Sequence, residues 1–532
     1  MYRHLLDRTG LLREPAEGRV DFVHRTFQEY LAARSAVIDS DDIGNLVMNA
    51  AKDQWREVVV MAVGHASRKQ REELLNGLVR RGDASAKDRD KLHLLAVASL
   101  ETAPEADPDL RRSIEQRADR LLPPKSLESA KSFASAGHYI VERLAATVPT
   151  SEVETVATVR ALAETGLEEA VEVLSRFGVD DRPAVQQELL RNWSTFEPVS
   201  YAAKVLATSP MDSLELRDPA LVPGVRHLAK VRRLDEQVPL TTLKDVFPAD
   251  LRSLSLTVRE PVALKDLASL PLEKLCLRRE GGVSSSPVID VAPLGAIESL
   301  RTLEFDRVTP ENLGSLTASG VRRLKLTRSA SPAQLAKIAP GWQLDQLSVS
   351  GIVDLQSLQP LSFAVEVKKL VVRGCARIAD LGGLEASAQT LRTLLLRDCV
   401  TIDLARLPPL TNLTNLDLGA SPVFNIGRLA SLARLETLTL GRPDDPEALA
   451  AVAGLTHLRH LTIRGRGLVD LGVLAGTHGL TISIGASIAV FGQEKLPPDC
   501  QVQMQENPGD HARPIRVAKK PCYGDDLTRF RE

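Results

Sequence analysis

Aromatic residues are scarce in this 532-residue chain, at 4% of it, while apolar residues as a whole reach 43%. Interiors must then be filled by Leu, Ala and Val rather than by large rings, a composition that favours helices or leucine-based repeats. Cysteine is equally thin: Cys276, Cys375, Cys399, Cys500 and Cys522 are odd in number, scattered, and form no CxxC pair. This excludes a disulfide framework and fits a reducing compartment. No apolar run approaches the roughly 18 residues of a membrane span, and the opening MYRHLLDRTG lacks the apolar core of a signal peptide. A cytoplasmic location is expected. With 67 Lys and Arg against 69 Asp and Glu, the net charge is −2, so no whole-chain field draws the protein to nucleic acid or to an anionic membrane. The nucleophile elbow GxSxG, the zinc motif HExxH and the phosphate loop GxxxxGK followed by Ser or Thr are all missing. Neither catalysis nor a metal site is expected; His457 and His460 lie close in sequence but have no carboxylate or cysteine to complete a ligand set.

What is there, in abundance, is a repeat. Hexads of the form LxxLxL begin at 251 (LRSLSL), 272 (LEKLCL), 300 (LRTLEF), 321 (VRRLKL), 344 (LDQLSV), 367 (VKKLVV), 391 (LRTLLL), 413 (LTNLDL), 435 (LETLTL) and 458 (LRHLTI), mostly 21 to 24 residues apart. The pattern resembles the leucine-rich-repeat family over about half the chain, which implies an α/β solenoid with a concave sheet. Hexad positions one, four and six should point inward, and positions two, three and five onto the open strand face. Ten strands stacked about 4.8 Å apart would make a rod roughly 45 to 50 Å long. Between hexads a second pattern starts with Asp266, Asp354, Asp380, Asp403, Asn425 or Asp470, read as caps of short helices or tight turns. Past the hexads, where the family usually carries Asn or Cys, stand Cys375, Cys399, Ser329, Ser421 and Arg466. The two cysteines are read as small buried turn residues. The insertion RREGGVSSSPVID is expected to bulge from one rim.

Residues 36–212 differ in kind, with apolar residues at helical intervals, as in Leu92, Leu95, Ala96, Ser99 and Leu100. Breaks at RGDASAKD, TAPEADPD, LLPPKS and GVDDRP separate paired helices in a HEAT-like array. Trp55 and Trp193 belong on apolar helix faces. The fold class expected is therefore multidomain, with the end of another domain at 1–35, an α-helical domain at 36–212, the repeat solenoid at 213–490, and a polar, flexible tail at 491–532. Val225 to Leu228 reads as a degenerate first repeat capping the solenoid.

In FVHRTFQEYLAA, Thr26 and Glu29 match a capping box for a helix starting near Phe27, with Phe27, Tyr30 and Leu31 on one face and a hairpin upstream. This stretch resembles the end of the winged-helix domain in NACHT-type STAND NTPases, and WREVVVMAVGHA and LLRNWSTFEPVSYAAKVL resemble the helical region behind it. The resemblance implies a bacterial signalling or defence setting, with ATP or ADP as cofactor of the intact family protein and none in this chain. It also implies a role for His24, which matches the histidine that contacts the β-phosphate of ADP in that class; the alternative is an imidazole packed over Phe27 and Leu31. Lacking a phosphate loop, the chain would need an upstream nucleotide-binding domain in cis or trans, as the C-terminal part of a larger protein, a truncated gene product or a second subunit.

On the open face the centre offers Arg322, Arg323, Lys325, Lys368, Lys369 and Arg392, interrupted by Asp345, with Arg373 and Arg397 just past the strands. Aligned in columns, such cations favour an acidic protein surface or an acidic, phosphate-rich ligand. No aromatics interleave, so single-stranded nucleic acid is not supported. The expected function is ligand or partner sensing and autoinhibition within a NACHT-type signalling ATPase, with a free-standing repeat adaptor or inhibitor as the alternative.

Overall fold

Short polar side chains start the helices of the first part of the chain. The computed structural model describes residues 12–505 except 17–18, 104, 237–245, 259–263, 280–286, 339–340, 362–364, 379, 401 and 442–445. The expected tail beyond 505, Cys522, and residues 280–286 at the centre of the insertion RREGGVSSSPVID lie outside the described residues. An antiparallel pair, Leu12–Ala16 with Arg19–Phe22, precedes the first helix, Arg25–Arg34. Farther on, Ser67 and Gln70 cap each other's backbone amides at the start of helix Arg68–Ala84. Asp107 accepts from Asp109 N and Leu110 N, both at 2.9 Å, ahead of Pro108–Asp119. Ser126 and Ser151 do the same for Leu127–Ala134 and Glu152–Glu164.

The sequence predicts one apolar face on helix Arg89–Leu100; instead every residue from Leu92 to Leu100 is buried. The reason is its central place, since helices Arg56–His65, Arg68–Ala84, Pro108–Asp119 and Leu127–Ala134 all pack against it. Its LHLLAVASL run is apolar almost all round, which a central helix requires. Trp193 is buried as expected, its indole N–H donating to Pro198 O at 2.7 Å. Trp55 sits in the short helical turn Asp53–Trp55 and is only half-buried.

The described chain divides into two compact units between Leu254 and Ser255, later than the change from helix to strand at 212. Two parallel strands, Ser213–Leu216 and Arg233–Glu236, therefore belong to the first unit. Residues 225–228, read from sequence as a degenerate repeat, lie instead mostly in the helical turn Pro219–His227 joining those strands. That turn is welded to the helices: a Cβ at Gly224 would stand 2.7 Å from the Trp193 ring and 2.9 Å from Pro198 O, so only glycine lets the backbone approach so closely.

In the second unit the hexads are strands. Lys274–Arg278, Thr302–Asp306, Arg323–Thr327, Trp342–Ser350, Val365–Arg373, Thr393–Arg397, Asn415–Asp417, Thr437–Gly441, His460–Arg464 and Thr481–Gly485 pair in parallel and in chain order. Their fourth hexad positions form one column, Leu275, Leu303, Leu324, Leu347, Leu370, Leu394, Leu416, Leu438 and Leu461. All of these are buried, as are hexad positions one and six throughout. A further parallel strand, Gln501–Gln505, pairs with Thr481–Gly485. The sheet thus continues past residue 490, where the sequence reading placed the start of a polar tail. CQVQMQ carries too few apolar residues to announce itself, yet its backbone completes the neighbouring strand's hydrogen bonds.

Several coils return through a short parallel bridge and a tight helical turn. Asp380, Asp403 and Asp470 accept from the amide two residues on, at Gly382, Ala405 and Gly472, as does Asp290 at Ala292. Asn312 and Asn425, both left-handed, donate their side-chain amides to Asp290 and Asp403 of the preceding coil. Asp354 is used differently, in an ion pair with Arg377 at 2.9 Å, and Asp266 lies inside its turn rather than ahead of it. Cys375 and Cys399 are buried at the turn after their strands, next to the carbonyls of Arg373 and Arg397. Burial pushes the Cys399 thiol up to about 11, which keeps it protonated at neutral pH.

Candidate partner-binding face

The strand face is built by alternation: with leucines turned inward at hexad positions four and six, positions three and five must point outward. Register then places Arg323 beside Gln346, Gln346 beside Lys369, and Lys369 beside Thr393 in one row across four strands. Lys325 lies in the next row between Glu304 and Ser348. Arg373 ends that face, with Ser350 and Arg397 as neighbours. Residues at position two behave differently. Arg322, Asp345 and Lys368 border a groove of about 270 Å³ at the beginning of their strands, together with Glu366.

The structure divides the six predicted cations into two groups by their partners. Lys368 Nζ is 2.8 Å from Asp345 Oδ1. Lys325 Nζ is 3.6 Å from Glu304, which Lys274 also reaches at 2.7 Å. Arg322 spends one donor on Gln343 O at 3.4 Å. Arg323, Lys369 and Arg392 are exposed and have no ion pair among the described residues, and the same is true of Arg373. Arg397 is tied to Asp417. Sequence reading missed the counter-charges Glu304 and Asp417, although both occupy fifth hexad positions and could be found by reading that position down the alignment. Beyond the cationic strands the face turns neutral, with Asn415, Thr437, His460 and Thr481 in one row. A surface of exposed cations next to hydroxyl and amide groups can hold an acidic polypeptide by charge and by hydrogen bonds.

His24 occupies a different setting in the first unit. Helix Arg25–Arg34 starts two residues earlier than the capping-box reading puts it, and His24 itself is the N-cap, with φ −121° and ψ 128°. The box does not form because Glu29 turns back along the helix to Arg25, 2.7 Å away, and is buried there. The imidazole makes no capping hydrogen bond and lies exposed, its ring 6.2 Å from that of Phe27 and tilted by 51°. Val23, Phe27, Tyr30 and Leu31 of the same segment remain 40 to 43% exposed. Besides the tilted pair of Phe27 with His24, Tyr30 is edge-on to His65 at 4.9 Å.

The buried leucine column, the shared parallel register and the repeated turn define a leucine-rich-repeat fold that follows an α-helical unit in the chain. Solved structures similar to the chain are of the same kind. An internalin from Listeria monocytogenes is 18% identical, covering 53% of this chain and 83% of its own, with a TM-score of 0.36. A leucine-rich-repeat protein from Leptospira interrogans is 15% identical over 55% of this chain and 76% of its own, with a TM-score of 0.35. The sequence matches no family model, and no curated protein is significantly similar to it. No helix among the described residues is long and apolar enough to cross a membrane.

Proposed function

We propose that the repeat unit docks an acidic protein partner on the face carrying Arg323, Lys369 and Arg392, and that the chain is the sensing and autoinhibitory region of a NACHT-type signalling ATPase. The observation that carries docking is the charge of the face: Arg323 and Lys369 are held in register on the sheet, Arg392 stands just ahead of its strand, and none of the three has an ion pair among the described residues. The NACHT assignment draws on the sequence around His24 and on its surroundings. An exposed imidazole at a helix N-terminus, in a segment that also exposes Val23, Phe27 and Leu31, suits a partner domain that brings both apolar surface and a nucleotide phosphate. A free-standing adaptor would use the same sheet face but would have no use for that apolar segment. In this reading the chain performs no catalysis, and ATP or ADP binds only with the nucleotide-binding domain present. Partner binding must favour the open arrangement over the ADP-held one, since equal affinity for both shifts nothing.

The experiment is reconstitution with the nucleotide-binding domain. His24→Ala should speed ADP release, and that domain should protect amides 23–31 from hydrogen exchange. Unchanged release together with unchanged exchange would refute the sensor reading and leave the adaptor.

A further inference from the structure

A large cavity of the first unit lies among its helices and has no part in the readings above. It measures about 840 Å³ and is open to solvent. Cations enter it from separate elements: Arg25 from the first helix, Lys52 and Arg56 from either side of the turn Asp53–Trp55, Lys91 from the central helix, and Lys131 from Leu127–Ala134. Asp53 and Glu128 are the acidic residues of its lining, while Glu29 pairs with Arg25 at 2.7 Å and Glu57 with Arg56 at 3.7 Å. Asp53 pairs with Lys91 at 3.4 Å, whereas Lys52 and Lys131 have no ion pair among the described residues. Arg56 is the unusual member. Its Nη2 donates to Ser135 O at 2.8 Å, but its Nε is buried with no hydrogen-bond partner. A buried guanidinium donor left unmatched is uncommon in folded proteins; the rest of this guanidinium is part-exposed, with Nη1 3.7 Å from Glu57.

We propose that this cavity binds a compact, multiply phosphorylated small molecule. The geometry argues for that class over an extended acidic chain. Cations arriving from different helices surround one volume instead of forming a line, and the volume suits a small ligand. Phosphate groups bring several charges and strong acceptors into little space, which matches the Arg56 fork and the two unpaired lysines. Binding would join the turn Asp53–Trp55 to helix Leu127–Ala134, distant in sequence, and so tighten the helical unit.

The test uses the whole chain and inorganic tripolyphosphate, followed by calorimetry at near-physiological salt. One molecule should bind per chain. The double variant Lys52→Gln/Lys131→Gln, which alters exposed side chains only, should weaken binding at least tenfold, while Lys337→Gln in the repeats should leave it unchanged. Equal binding by the double variant and the parent would overturn the proposal, as would an absence of binding to the parent. Loss on Arg323→Glu/Lys369→Glu with retention by the double variant would move the phosphate to the sheet face and also overturn it. Arg56→Lys, which keeps the charge but loses the fork, should weaken binding while thermal unfolding of the free chain stays cooperative.

Discussion

At the residue scale, backbone conformation and burial make claims that single substitutions can check. Asp398 leaves its strand with φ 59°, where Gly351 and Gly374 stand in the coils before it. An L-residue there bears a steric cost of roughly 1 kcal/mol. Asp398→Gly should therefore raise stability by about 0.5–1 kcal/mol in urea denaturation, and a loss would show that the aspartate's side chain matters more than its backbone. His93 is a second case. It is buried with its Nε2 3.1 Å from Asp83, which Arg117 holds at 2.9 Å on the other side. Burial depresses the imidazole pKa, with Asp83 opposing and Arg117 reinforcing the shift. Unfolded chains take up this proton near pH 6.5, whereas the native state resists it. Stability should thus be complete above pH 6.5 and fall as the pH drops from there toward the folded pKa. The Asp83 carboxyl, lowered chiefly by its hydrogen bond with Arg117, stays charged across that window. His93→Gln should flatten the slope of urea midpoints between pH 6.5 and 5; an unchanged slope would assign it to other groups.

At the scale of the element, the hexads were legible because their chemistry is local. Alternation decides which residues point inward, and a leucine at each such position suffices to bury a coil against its neighbours. Leu394 belongs to that column and is fully buried, so Leu394→Ala should cost about 2–5 kcal/mol. Asp403→Ala, which removes the acceptor for Ala405 N and for Asn425, should cost only about 1 kcal/mol. If both cost the same, the turn ladder would be a principal source of stability. Strands without leucines were not legible: Gln501–Gln505 forms because Thr481–Gly485 offers unpaired backbone groups, information that its own side chains do not carry. The start of helix Arg25–Arg34 was misplaced for a comparable reason. Thr26 and Glu29 satisfy the capping spacing, yet Glu29 gains more from Arg25 one turn back.

For the whole molecule, the candidate site shows how far a sequence goes. All six cations were visible in the hexads; alternation puts Arg323, Lys325 and Lys369 on the open face, whereas Arg322, Lys368 and Arg392, at position two, stand where the strands begin. Which of them remain available was decided by neighbours 20 or more residues away, where Glu304 holds Lys325 and Asp345 holds Lys368. Charge reversal at Arg323, Lys369 and Arg392 together should abolish partner-dependent activation while changing stability by less than about 1 kcal/mol, as for exposed sites. Reversal at Lys325 and Lys368 should do far less, and equal effects would mean that the ion pairs do not hold in solution. The limits of the two units, between Leu254 and Ser255, were hidden as well, since Gly224 packing under Trp193 binds strand-forming chain to the helices. By itself the sequence determined the repeat, its inward leucines and the helical character of what precedes it, because these depend on periodicity within one segment. Only the tertiary structure decided which charges are free, where the units divide and which helix lies at the centre, because those depend on side chains that meet across long separations in the chain.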